Sequence, residues 1–168
     1  MINLAEAIKL KSIINKKIHE LLMNSRNYRT ALIKDGDQPE LIDYTLEMLE
    51  EELKTLRYDS RKLDSGIYRA NIDNYITFKE EKMPIVEAIE LATQIRAEVE
   101  YCKELAMVPK EEIHFSTPEK TFLQVAYFNP NDYRLRAIEL EKDAHRLSNA
   151  INAKNYTVEI DFDGSKYF

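Results

Sequence analysis

The sequence predicts a mainly α protein: an antiparallel four-helix bundle with long helices and a small appended β-hairpin or three-stranded sheet. Three observations carry this. Over four long stretches, apolar residues recur at alternating steps of three and four, the spacing of one helix face. Charged residues make up 32 % of the chain, with only 3 Gly and no Trp, which suits long helices better than a loop-rich fold. The period then changes to two over residues 110–128, and again near the C-terminus. At 168 residues, without an internal repeat or flexible linker, the chain is expected to form a single domain. Its β element is expected at about 110–128 and 156–162.

The first stripe runs through Leu4, Ala7, Lys11, Ile14, Ile18, Leu21, Ser25, Tyr28 and Leu32. It predicts a helix of about 30 residues, or ~45 Å. Asn3 is the expected N-cap, with Glu6 completing a capping box. Gly36 in "KDGDQPE" should end this helix, and Pro39 suits the first turn of the next. So short a loop would make the two helices antiparallel neighbours. The second stripe is Ile42, Leu46, Leu49, Leu53, Leu56, Ser60, Leu63 and Ile67, with Gly66 weakening its last turn.

"NIDNYITFKEEKMP" breaks the pattern, and Tyr75 to Phe78 reads as a short extended piece. A third helix follows Pro84, with Ile85, Ala88, Ala92, Ile95, Val99, Cys102 and Ala106 on one face, and stops before Pro109. Ile113 and Phe115, then Leu123, Val125 and Tyr127, alternate with polar neighbours around the turn residues of "STPEK". That is a hairpin pattern. Asn129, Pro130 and Asp132 announce a fourth helix with a stripe of Tyr133, Ala137, Leu140, Ala144, Leu147 and Ile151. Val158, Ile160 and Phe162 alternate after it, so the tail is expected to add a third strand to the hairpin.

Composition excludes several classes of function. A net charge of −6 and a pI near 5.2 argue against a general grip on nucleic acid or anionic lipid. Lys9, Lys11, Lys16 and Lys17 are interrupted by acidic residues and read as a solvated helix face. No stretch approaches the ~18 apolar residues of a membrane span. "MINLAEAIKLKSII" reads as an amphipathic helix and not as a secretory leader. Cys102 stands alone, so no intrachain disulfide can form, and a cytoplasmic location is expected.

Signals for catalysis are thin. His19, His114 and His145 lie far apart in unlike contexts. Glu111 and His114 have Glu-x-x-His spacing, but in a hairpin and not on the core helix that a di-metal site needs. Cys102 sits on an apolar stripe, as a buried inert thiol would. Glu47 with Glu50, and Glu87 with Glu90, are Glu-x-x-Glu pairs of the kind that hold magnesium in all-helical nucleotide hydrolases. Flanking the stripes as they do, they equally suit a solvated face. No cofactor, metal or catalytic residue is expected. The leading reading is a structural or interaction protein without catalysis; the alternative is a magnesium-dependent nucleotide hydrolase using those glutamates.

One polar constellation stands out. Asn149, Asn152 and Asn155 close the fourth helix, although Asn is a poor helix former. In an up-down-up-down bundle they would gather near Arg69, Asn71 and Asn74, with two helix N-termini adding partial positive charge. The cluster could hold a small anionic ligand or an extended peptide, or could simply cap backbone groups. On the second helix, Leu41, Tyr44, Met48, Thr55 and Tyr58 form a row away from the core stripe. It predicts a self-association surface, with a two-fold dimer as the default. The appended sheet, or the tail around Tyr167 and Phe168, could instead fold back to cover it.

Three stretches resemble a family of small bacterial helical proteins, the septicolysin-like family. "NLAEAIKL" and the later "DGDQPE" match its Leu-Ala-Glu-Ala and Gly-x-x-Pro-Glu. "IYRAN", residues 67–71, is similar to Ile-Asn-Arg-Thr-Asn; Arg69 and Asn71 match, whereas Tyr68 and Ala70 depart. Arg146, Leu147, Ile151 and Asn155 match a third motif, with Asn152 in place of Gln and Tyr156 in place of Trp. Glu87 and Ala88 match in the third helix, where the family's later Arg-Asp is absent around Ala92 and Thr93. The family name suggests a cytolysin, but this chain has no evident membrane-inserting segment.

Overall fold

Asn3 opens the first helix as its spacing predicts. In the computed structural model, which describes residues 1–167, its side chain accepts the Glu6 N–H at 2.8 Å. Glu6 in turn accepts the Asn3 N–H at 2.9 Å, which completes the capping box. The chain divides into two units: residues 1–74 with the segment from 155 onward, and residues 75–154.

In the first unit, β1 (Ile2–Asn3) leads into α1 (Leu4–Asn24), and α2 (Leu46–Asp73) returns beside it. Lys11 pairs with Asp64 at 2.6 Å and Lys17 with Glu52 at 2.8 Å. One number rises as the other falls, so the helices are antiparallel. Leu4, Leu10 and Ile14 of α1 and Leu49, Leu53, Leu56 and Leu63 of α2 are buried. Lys11, expected on the stripe, flanks it, and Leu10 fills the core position.

Two expectations are corrected in this unit. The first helix stops at Asn24, passes through a 3-10 turn (Ser25–Tyr28) and does not continue to Leu32. The Ser25 hydroxyl donates to the Leu22 carbonyl at 2.7 Å and accepts from Arg29 at 2.9 Å. Side-chain bonding of this kind competes with the helix. The second helix starts at Leu46 with Thr45 as its cap, not near Pro39. Residues 29–45 between them form neither helix nor strand, and Leu32, Leu41 and Ile42 are exposed. Gly36 does make a turn, at φ 89°, closed by the Asp37 N–H on the Lys34 carbonyl.

The third correction concerns the tail. β6 (Glu159–Ile160) does not join the hairpin; it pairs antiparallel with β1, with Ile2 opposite Ile160. The Leu4 N–H donates to the Val158 carbonyl at 2.8 Å, so the start of α1 recruits the strand. Phe162 lies beyond β6, outside any strand.

The second unit begins with β2 (Tyr75–Phe78) and β3 (Glu81–Pro84), an antiparallel hairpin. Ile76 faces Met83, and both are buried. Its turn is Lys79–Glu80, with φ of 48° and 69°. A two-residue turn matches strand twist when both residues have positive φ, a role that usually falls to Asn-Gly. Here the Lys79 ammonium bonds the buried Asp143 carboxylate. α3 (Ile85–Ala106) buries Ile85, Ala88, Ala92, Ile95, Val99 and Cys102, as predicted. α4 (Pro130–Asn155) runs antiparallel to it, since Arg96 meets Ser148 and Lys103 meets Glu141. Between them, β4 (Glu111–Ser116) and β5 (Thr121–Val125) form the expected hairpin, every residue of it exposed.

The architecture of the described residues is thus mainly helical, with four long helices and three two-stranded antiparallel sheets. Among the described residues, no helix is long and apolar enough to cross a membrane.

Leu49→Ala and Leu53→Ala should each destabilise the protein by about 2–5 kcal/mol, as large-to-small changes at buried sites. Urea midpoints close to wild type for both would show that these leucines do not carry the α1–α2 core.

Candidate functional site

The second half of α2 presents Lys62, Gly66, Arg69 and Asp73 at steps of three and four, one face of the helix. Gly66 lets the C-terminal segment approach this face. A Cβ at residue 66 would lie 2.8 Å from Ile160 Cγ2, inside any normal contact. Ile160 is buried there, and beside it opens a groove of about 480 Å³. Ser65, Arg69, Asp73 and Asn74 line one wall; Glu159 and Asp161 line the other. Lys62 and Asp161 also border a second hollow, of about 380 Å³, which continues to Asp59 and Lys166.

Asp59 anchors that end. It is buried on α2 and receives the Tyr167 hydroxyl and the Lys166 ammonium. Burial pushes its carboxyl up, but the hydrogen bonds from Lys166 and Tyr167 and the lysine charge outweigh it and hold the group below the usual carboxylate range. The Tyr167 phenol is raised far above its ordinary value, by burial first and then by its bond to Asp59. Asp163 is also lowered, by hydrogen bonding to Ser165. The tail is therefore clasped at one end of the groove. Along the remainder, Arg69, Asp73, Glu159 and Asp161 make no side-chain hydrogen bond or ion pair among the described residues.

Of the six amide and arginine positions singled out in the sequence, the groove brings together Arg69 and Asn74. The Asn74 amide donates to the Ala70 carbonyl at 2.9 Å and so caps α2. Asn71 and Asn155 belong to the same unit, and the Oδ1 of each is shut away from solvent without a hydrogen-bond partner. Asn152 lines a hollow of the second unit with Arg96 and Ser148, and Asn149 is exposed on α4. Sequence reasoning missed Lys62, Asp73, Glu159 and Asp161. The first two were within reach, since they share Arg69's face of α2. The acidic pair on the tail needed the β1–β6 pairing to be known.

The tyrosine row on the second helix is also corrected. Leu41 and Tyr44 precede α2, so no continuous helical row exists. Leu41 is exposed, whereas Tyr44 is engaged within the chain: its hydroxyl donates to Glu52 at 2.8 Å and its ring meets Tyr28 edge-on. Met48 and Tyr58 remain about half exposed, at 52 % each. The tail reaches Asp59 beside Tyr58 without covering it; Phe168 lies outside the described residues. Glu47, Glu50, Glu87 and Glu90 are all exposed, and Glu90 accepts from Gln94. Among the described residues, no three His, Cys, Asp or Glu side chains gather into a set that could hold a metal ion. Cys102 is buried.

No family model and no curated protein matches the chain. Its fold is similar to the crystal structure of a functionally unknown conserved protein from Corynebacterium diphtheriae, with a TM-score of 0.64 and 21 % identity. The match covers 95 % of this chain and 99 % of the other. At that identity the likeness establishes the fold alone.

Asp59 gives the tail a pH dependence whose sign follows from its lowered carboxyl. The stabilisation is present above the ordinary carboxylate range and is lost as pH falls through the folded value. Asp59→Asn should cost roughly 1–3 kcal/mol near neutral pH by weakening two charge-assisted bonds. It should also flatten the loss of stability between about pH 5 and pH 3. Equal urea midpoints for variant and wild type at both ends of that range would contradict the clasp.

Proposed function

We propose that the protein is a non-catalytic interaction protein whose first unit binds an extended peptide segment of mixed charge. One observation carries the reading: Arg69, Asp73, Glu159 and Asp161 line one groove while none is neutralised by a neighbour among the described residues. Charges left open on facing walls suit a ligand that brings both signs. Carboxylates outnumber cations in the lining, which favours a peptide over the small anionic ligand that the amides alone suggested. An extended backbone also needs amide partners, and Asn74 and Ser65 stand on the same wall. The likeness to septicolysin-like proteins and a two-fold self-association belong to the same proposal.

Selection of random peptides on the immobilised full chain should enrich sequences that carry an acidic and a basic residue a few positions apart. Arg69→Ala should weaken the enriched peptide roughly ten-fold, the loss of one well-placed charged contact. Enrichment of no sequence, or equal binding by Arg69→Ala, contradicts the reading.

A further inference from the structure

We propose that the open edge of β5 pairs antiparallel with the same strand of a second copy, joining two hairpins into one four-stranded sheet. The β4–β5 hairpin buries none of its own residues, and Ile113, Phe115, Phe122, Leu123 and Val125 are each about half exposed or more. A two-stranded hairpin alone is marginal in water, whereas three or more strands hold together.

The two edges of the hairpin differ. β4 begins with Glu111 and Glu112, and its register jumps from Ile113 opposite Leu123 to Phe115 opposite Phe122. His114 is left as a bulge. Charge and bulge are the devices that blunt an edge. β5, "TFLQV", carries no charge, no proline and no irregularity.

The direction of its backbone groups follows from two bonds. Ala126 donates to the Lys110 carbonyl, and the Lys120 carbonyl accepts from Thr117. Even-numbered residues of β5 therefore turn their N–H and C=O toward β4. Thr121, Leu123 and Val125 turn theirs to the open side.

A two-fold axis that pairs a strand with its own copy antiparallel stands perpendicular to the sheet, so it matches residues of the same face. Centred on Leu123, it sets Thr121 against the second copy's Val125 and Leu123 against its own equivalent. These are all outward-turned residues, and they supply about six hydrogen bonds, two for each hydrogen-bonded pair. No like charges oppose one another, because Lys120 falls opposite Ala126. Leu123 already faces Ile113 within the hairpin, so an apolar rib of Ile113, Leu123 and their copies would cross the sheet. The outer edges would be the two β4 strands with their glutamates and bulges. Growth then stops at a closed dimer and does not run on to a fibre.

The register provides its own test, by sedimentation of the full chain across micromolar concentrations. Wild type should have the mass of two chains. Thr121→Glu with Val125→Glu opposes like charges at both ends of the pairing and should weaken the dimer roughly ten-fold or more. Thr121→Lys with Val125→Glu alters the same two exposed sites but opposes unlike charges, and should keep the dimer. Far-UV circular dichroism checks that both variants fold. A wild-type mass of one chain would leave the edge to some other protein's strand and overturn the proposal. So would a dimer equally strong in both double variants.

Discussion

The close approach of Ile160 to Gly66 is the constraint on which the first unit depends. A two-residue strand pair such as β1–β6 has no independent stability; it persists because Ile160 and Val158 are buried and because the Leu4 N–H holds the Val158 carbonyl. The side chain of any other residue at 66 would occupy the space that Ile160 uses. Once the strand is seated, the chain beyond it runs along α2, and Asp59 can take both Lys166 and Tyr167. The groove is a by-product of this seating. α2 supplies one wall and the held tail the other.

The second unit shows the same economy of anchoring in one hairpin and its absence in another. β2–β3 holds two non-glycine residues at positive φ, an arrangement that costs about 1 kcal/mol or more per residue. Burial of Ile76 and Met83 and the bond from Lys79 to Asp143 offset it. Without Lys79, the carboxylate of Asp143 would retain, among the described residues, the more distant Arg146 at 3.8 Å. β4–β5 has no comparable anchor among the described residues: every residue of both strands is exposed, and Phe115 and Phe122 meet each other across the strands at 6.0 Å between ring centres. One hairpin is therefore part of a core, and the other is a surface.

Much of this was legible in the sequence wherever local chemistry and burial agree. Asn3 with Glu6, Pro84 before Ile85, and Asn129–Pro130 all mark helix starts, because caps are decided within a few residues. The stripe of α3 was legible from Ile85 to Cys102, while Ala106 at its end is only half-buried. The reading failed where a periodic pattern continued past the point at which its carriers turn polar: Ser25, its hydroxyl bonded back to the Leu22 carbonyl, ends α1 although Tyr28 and Leu32 keep the spacing. It failed again at the tail. Val158 and Ile160 alternate as a strand does, but alternation says nothing of the partner, and β1 is too short to announce itself. The groove was half legible. Arg69 and Asn74 were found through their polarity, while Glu159 and Asp161 depend on a strand pairing between the two ends of the chain.

Gly66→Ala tests the central constraint most directly, because the competing physics has the opposite sign. In an ordinary helix interior that substitution stabilises by roughly 0.5–1 kcal/mol, through lower backbone entropy of the unfolded chain. Here the added Cβ meets a β-branched side chain at 2.8 Å, and Ile160 cannot yield by a simple swing of a flexible end. The informative measurement is a urea midpoint combined with amide exchange over residues 158–167. A lower midpoint, with faster exchange across that segment, is the expected result. A midpoint at or above wild type, with the segment still protected, would mean that the strand does not rest on Gly66.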